Sequence, residues 1–222
     1  MKTLHQQPFA SVLQELETRA NASDGEARAR LGSMSPPERE ALMTQMRADP
    51  TKFYGGLAKD LFLAVSPQTR QLLYLLARSS NARHVIEFGT SFGVSTLFLA
   101  AAVRDNGGGR VITCEFEPAK AATARATFVK AGISELIDLR EGDAQKTLAK
   151  DLPPQIDLVL LDGAKPLYPT IVKLLESRLK PGALLIADNA DDSPDYLELV
   201  HNDRRFHSLA WSDEVEITCF DP

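Results

Sequence analysis

A chain of 222 residues, 44% hydrophobic and 25% charged, suffices for one well-packed globular domain with a small extension and leaves little room for two. Its formal charge of -5 disfavours a partner held mainly by phosphate contacts, which call for a basic face, and points to a small molecule instead. No stretch approaches the roughly 18 apolar residues of a membrane span, and the opening residues, broken by His5, Gln6, Pro8 and Glu15, lack the apolar core of a secretory signal.

The first sixty or so residues read as helical and loosely connected. Phe9, Val12, Leu13 and Leu16 recur at helical spacing over 9–20, after which NASDGEARARLGS breaks the pattern as a linker or uneven helix end. Ser35, Pro36 and Glu38 then give a start signal: an N-cap, a proline at the first helical position and a glutamate three residues after the cap. Ser66 and Pro67 repeat it ahead of an apolar face made by Leu72, Leu73, Leu75 and Leu76. From His84 onward, short aliphatic or β-branched runs alternate with helical patterns. Strands are expected over 84–88, 110–116, 136–142, 156–162 and 183–189, and helices over SFGVSTLFLAAAVR, PAKAATARATFVKAG, AQKTLAKDL and PLYPTIVKLLESRLKPG, the last stopped by Lys180, Pro181 and Gly182. Strands joined by helical crossovers make a doubly wound α/β sheet. RFHSLAWS and EVEITCFDP, with no helix between them, are expected to pair antiparallel at one edge. Cys114 and Cys219, each in a strand-like run and without a CxxC neighbour, read as free thiols of a reducing cytoplasm.

In an open α/β sheet the ligand lies outside the carboxyl ends of the strands, so the turn after the first strand matters most. Gly89 and Gly93 bend it. A dinucleotide site of the form G-x-G-x-x-G needs glycine where Ser91 stands, and no lysine follows Gly93 as a phosphate loop requires. The turn therefore suits a nucleoside cofactor without phosphate. Glu115, closing the second strand, can accept hydrogen bonds from both ribose hydroxyls or stand as a solvated surface group. Gly142, Asp143 and Ala144 offer an acid for an adenine amino group, or a helix N-cap.

Asp162 and Asp188 end the fourth and fifth strands, neighbours in the inferred order, and with the Asn189 amide they make an all-oxygen cluster suited to a hard cation such as Mg²⁺. The same residues are also common turn and strand-end caps. Lys165, near such a cation and partly desolvated, is expected to have its pKa lowered toward neutrality; a solvated surface lysine is the alternative. Ser193 and Pro194 read as a helix start, with Asp191, Asp192 and Asp195 complementing its dipole. His5, His84, His201 and His207 show no ligand spacing, and Tyr168 and Trp211 either border a substrate pocket or pack in the core.

The segments EFGTSFGVSTLFLA, VITCEFEPAKAATARATF, EGDA, IDLVLLDGAK and LLIADN resemble, in order and spacing, the S-adenosylmethionine-dependent O-methyltransferases of the catechol and caffeoyl-CoA type. The resemblance covers 84–189, with a weaker echo in SPQTRQLLYLLA. It implies a Rossmann-like class I methyltransferase fold: a mostly parallel seven-stranded sheet with an antiparallel C-terminal edge. Residues 61–222 would be the methyltransferase domain and 1–60 an N-terminal helical extension serving as cap or dimer arm. It further implies that Glu87, Gly89, Ser91, Gly93 and Ser95 line the methionine and sulfonium end of the cofactor, that Glu115 takes the ribose, and that Asp143 with Ala144 takes the adenine. Val65, Thr90, Phe116 and Asp162 complete the cofactor-binding set. The family's metal ligands fall on Asp162, Asp188 and Asn189, and its general base on Lys165, which acts beside Asp162.

After the metal-site Asp-Asn the family commonly carries a longer loop whose aromatic residue covers the substrate. Here ADNADDSPDYLELV runs almost directly into a helix, so the N-terminal helices up to about Leu61 are the candidates for that cover, within one chain or across a dimer. The reading is a cytoplasmic, homodimeric enzyme that methylates a hydroxyl of a small catechol-like or phenolic acceptor, assisted by Mg²⁺ and Lys165. The alternatives are a metal-independent O- or N-methyltransferase, a tRNA hydroxyuridine methyltransferase, which would need a basic surface, a nicotinamide oxidoreductase, and a binding module without turnover.

Overall fold

The aliphatic runs at the centre of the sheet form strands buried on both faces, which is how a parallel sheet covered by helices is built, while those toward its edges are partly exposed. In the computed structural model, which describes residues 2–222, they are β1 (His84–Phe88), β2 (Arg110–Glu115), β3 (Ile137–Glu141), β4 (Ile156–Leu161), β5 (Leu179–Asp188), β6 (Phe206–Ala210) and β7 (Val215–Phe220). The sheet order is β3-β2-β1-β4-β5-β7-β6. The first five strands run parallel, and β7 pairs antiparallel with β5 and β6, as the helix-free tail led one to expect. The order reverses between β1 and β4, which opens a crevice at their carboxyl ends.

The helices are α1 (Phe9–Ser33), α2 (Pro36–Ala48), α3 (Pro50–Lys52), α4 (Pro67–Ser79), α5 (Val94–Asp105), α6 (Pro118–Lys130), α7 (Ala144–Thr147), α8 (Tyr168–Leu175) and α9 (Pro194–Asn202), with a π-helical turn over Phe53–Leu57. Alternate strand residues face opposite layers. Val85, Leu158 and Leu160 pack under α1, α4, α5 and α6, while Ile86, Val159 and Leu161 pack against α8 and α9. Val94–Val103 of α5 is buried throughout, which is why its sequence is apolar on every face. Both N-cap signals are formed: Ser35 and Glu38 make a reciprocal capping box, and the Ser66 hydroxyl accepts from the Thr69 N–H at 3.0 Å. Cys114 and Cys219 are free. Among the described residues no helix is long and apolar enough to cross a membrane.

Four local expectations give way, each to a contact from elsewhere. The helix expected to break after residue 20 continues to Ser33. Asp24, within the supposed break, is buried and its carboxylate accepts the N–H groups of Leu63 (3.0 Å) and Ala64 (2.9 Å), while the Ala, Glu and Arg residues beyond Gly25 favour helix. Lys180, Pro181 and Gly182 do not stop a helix but lie within β5, where the register with β4 shifts between Ile156 and Leu158 and Gly182 takes φ +80°. α8 ends at Leu175, and one 3-10 turn leads to the strand. The helix expected over AQKTLAKDL shrinks to four residues because Arg140 draws the carbonyls of Thr147, Lys150 and Asp151 onto its guanidinium at 2.7, 2.7 and 2.9 Å. Ser193 precedes α9 but makes no cap bond; its hydroxyl donates to the Lys165 carbonyl at 2.8 Å.

Candidate functional site

A cavity of about 480 Å³ opens at the carboxyl ends of β1 to β4. Its floor is the turn after β1. Gly89 has φ +106°, and a Cβ there would lie 2.5 Å from the Asp162 carbonyl oxygen, so only glycine lets the turns after β1 and β4 approach this closely. Gly93 (φ +89°) begins α5 with the Phe128 ring behind it. Ser91 is also left-handed, φ +48°, a conformation disfavoured for a side-chain-bearing residue. Two hydrogen bonds hold it there: its N–H donates to Glu115 Oε2 (2.7 Å) and its hydroxyl to the Phe62 carbonyl (2.6 Å). The Thr90 hydroxyl is buried against that of Thr113.

Of the residues expected around a nucleoside, Gly89, Thr90, Ser91, Ser95, Glu115, Phe116, Asp143, Ala144 and Asp162 line the cavity. Glu115 Oε1 accepts from the Glu117 N–H at 2.8 Å, so each carboxylate oxygen holds one backbone donor and keeps capacity for another. Asp143 caps α7, accepting from the Gln145 N–H at 3.0 Å, while still facing the cavity; the cap and the site coexist. Val65 does not line the cavity. Its side chain is in the core and its carbonyl accepts from Arg70 Nε at 2.9 Å, and the preceding Phe62, Leu63 and Ala64 form the roof instead.

Glu87 lies beneath the turn, fully buried. Oε2 accepts from Thr96 (2.5 Å) and Thr113 (2.6 Å), whereas Oε1 has no partner. Burial pushes its pKa from the ordinary 4.5 up to about 7, against the hydroxyls of Ser95, Thr113 and Thr96. The folded chain thus keeps a proton that the unfolded chain releases, and this group's contribution to stability is lost as the pH rises from about 4.5 through 7. Glu87→Gln should flatten that slope and leave the ligand-free protein more stable above neutrality, by on the order of 3 kcal/mol. Melting temperatures of both proteins across this pH range check it; parallel curves would contradict it.

The acidic end of the site is built by β4 and β5. Leu161 pairs with Ala187, which brings Asp162 and Asp188 side by side at the strand ends. Asn189 follows in the left-handed region, φ +50°, which asparagine tolerates. Burial raises the Asp162 carboxyl to about 6 against Lys165, and burial together with the charge of Asp162 raises Asp188 to about 7. Lys165 is buried with Nζ 3.2 Å from Asp162 Oδ1 and 5.4 Å from the centre of the Tyr168 ring. The expected lowering of its pKa is not found. Burial alone would lower it, but Tyr168, Asp162, Tyr54 and Asp188 outweigh that and hold it well above its ordinary value. Among the described residues no group of three or more His, Cys, Asp or Glu has metal-binding geometry, so the candidate set is the two carboxylates and the Asn189 amide. This donor set fits a hard cation: it is all oxygen, and its two crowded carboxylates already share one ammonium as counter-ion.

Neither aromatic candidate borders the cavity. Tyr168 is in the core, its hydroxyl donating to the Asp188 carbonyl at 2.8 Å, and Trp211, 42% exposed, sits by Ser66 and Thr69 in a separate shallow hollow. From the N-terminal segment, Pro50 and Tyr54 line the cavity, and Arg47 pairs with Asp192 at 3.7 Å. Tyr54 carried no sequence signal. Lys120, another lining residue missed, did: it is a cation in the first turn of a helix, where the dipole disfavours it.

A family model described as O-methyltransferase matches residues 34–205. A catechol O-methyltransferase of Niastella koreensis is 33% identical over 130 residues, 57% of this chain and 58% of that protein. The chain thus spans less than two thirds of that relative's length. One from Mycobacterium tuberculosis is 32% identical over 161 residues, 70% of this chain and 72% of that protein. The crystal structure of an O-methyltransferase from Bacillus cereus in complex with SAH superposes with a TM-score of 0.66 at 21% identity, covering 93% of this chain and 99% of that one; at that identity the likeness speaks for the fold.

Proposed function

The chain belongs to the O-methyltransferase family, and on that footing we propose that it transfers the methyl group of S-adenosylmethionine to a hydroxyl of a small catechol-like or phenolic acceptor, assisted by a divalent cation. One observation carries this reading: a cavity of ligand size at the carboxyl ends of the strands is lined by Asp162, which pairs with the buried Lys165 and stands beside Asp188.

The unpaired Oε1 of Glu87 is the acceptor that the ammonium of the cofactor's amino-acid end would use, beside Ser95. Glu115 would take the ribose, and Asp143, Ala144 and Phe116 the adenine. Asp162, Asp188 and Asn189 would hold Mg²⁺ or another divalent cation. When bound, S-adenosylmethionine supplies an electrophilic methyl group, and the cation makes an acceptor hydroxyl more acidic. Lys165 keeps its proton while Asp162 and Asp188 are its counter-ions; with those carboxylates holding a cation, its Nζ would be the group that takes the acceptor's proton. Asp162 orients Nζ through the 3.2 Å contact. Pro50 and Tyr54 would exclude water over the acceptor. Residues 61–222 would then be the methyltransferase domain and residues 1–60 its cap. A cytoplasmic homodimer belongs to the same proposal, supported by the free cysteines and by Leu209 and Trp211 exposed near the β6 edge.

Calorimetric titration with S-adenosylhomocysteine, with NAD⁺ in parallel and each with and without Mg²⁺, tests the cofactor; saturable binding of the former alone is expected. Binding of neither, or of NAD⁺ alone, would refute the reading. Catechol methylation that a chelator leaves undiminished would remove the cation from it.

A further inference from the structure

We propose that Lys120 is a cofactor-binding residue whose ammonium donates to the ribose diol that Glu115 holds from the other side; this assignment rests on the cavity being an S-adenosylmethionine site.

Three features of Lys120 are unfavourable for a cation that serves only the fold. It is 4% exposed, it stands in the first turn of the 13-residue α6, where the helix dipole repels positive charge, and it makes no hydrogen bond or ion pair among the described residues. Its Nζ lies 5.4 Å from the centroid of the Phe92 ring. Burial lowers its pKa, and Glu115 is the foremost of the carboxylates that oppose this. Glu115 and Lys120 both line the cavity and attract each other, yet form no direct pair.

A hydroxyl satisfies both. It donates to a carboxylate that retains acceptor capacity and accepts from an ammonium that has three donors and no acceptor, and a vicinal diol offers two such groups. The cofactor's own carboxylate is the competing partner, but beside Glu115 it would meet like charge.

Calorimetry on the wild type, Lys120→Met and Lys120→Gln with two ligands tests the assignment. S-adenosylhomocysteine carries ribose and amino acid; 5′-methylthioadenosine keeps the ribose and lacks the amino acid. Lys120→Met should weaken both by a similar factor, about 10- to 100-fold, and Lys120→Gln, which keeps an N–H donor, should recover part of the loss for both. A loss confined to S-adenosylhomocysteine would assign the ammonium to the carboxylate and overturn the proposal, as would unchanged affinity for both ligands. Unliganded melting curves show that each variant folds, and if Lys120→Met does not, a several-fold weakening of both ligands by Lys120→Gln carries the test, with no weakening counting against the assignment. A wild type that binds neither ligand defeats the cofactor reading itself, whereas normal wild-type binding with an unaffected variant defeats this assignment alone.

Discussion

Lys165→Met should melt well below the wild type at neutral pH and above, and Mg²⁺ should restore much of the loss. The side chain is the buried counter-ion of Asp162, with Asp188 alongside. Removing one partner of a buried pair leaves uncompensated charge and costs about 3–5 kcal/mol, or roughly 10 °C for a chain of this size. The sign follows from the carboxyls. Protonated below their values of about 6 and 7, they need no cation, so the deficit should be small in acid and grow as the pH rises through that range. If the two aspartates and Asn189 bind a divalent ion, Mg²⁺ takes over the missing charge and raises the melting temperature of the variant more than that of the wild type. Equal responses to Mg²⁺ would separate the lysine from any cation site. In the proposed reaction the variant also loses its base, with a fall in turnover of about 10²- to 10⁴-fold.

Gly89→Ala should abolish measurable S-adenosylhomocysteine binding while lowering stability by about 2–4 kcal/mol, through a left-handed backbone that alanine resists and a methyl group driven into the next turn. The obstacle is backbone, the Asp162 carbonyl, so no side chain can rotate away. Relief requires the turns after β1 and β4 to part, and that moves Ser91, Glu115 and Asp162 together because Ser91 is tied to Glu115 and the Asp162 N–H donates to the Phe88 carbonyl at 2.8 Å. Thermal melts with and without the ligand measure both effects. A variant that melts and binds as the wild type does would show the crowding to be unimportant.

Strands β1 to β4 and both N-cap motifs could be read locally, because aliphatic runs and Ser-Pro starts carry their cause within a few residues. What could not be read depends on partners distant in sequence. Asp24 carries α1 through its apparent break by bonding Leu63 and Ala64; Arg140 on β3 shortens α7; the bulge against β4 places Lys180 to Gly182 in a strand. The same holds at the site. Gly89, Ser91, Glu115, Asp143 and Asp162 reach one cavity because the fold brings the strand ends together, and each carries a local signal. The direction of the Lys165 shift does not, since it depends on Asp188 arriving on β5 and on Tyr168 and Tyr54 closing around the amine. Tyr54 and the roof over Phe62–Ala64 come from a stretch to which no element is assigned from the sequence.

The roof is not hinged at its own ends. Its N–H groups hang from Asp24 in the middle of a 25-residue helix, and its Phe62 carbonyl is bolted by Ser91 to the floor. That helix in turn shares its apolar face, Phe9 to Ala20, with the main core. The leading segment is therefore a ceiling joist rather than a detachable sleeve: trimming it away would take down one wall of the cavity, and swapping it between relatives would reshape that wall.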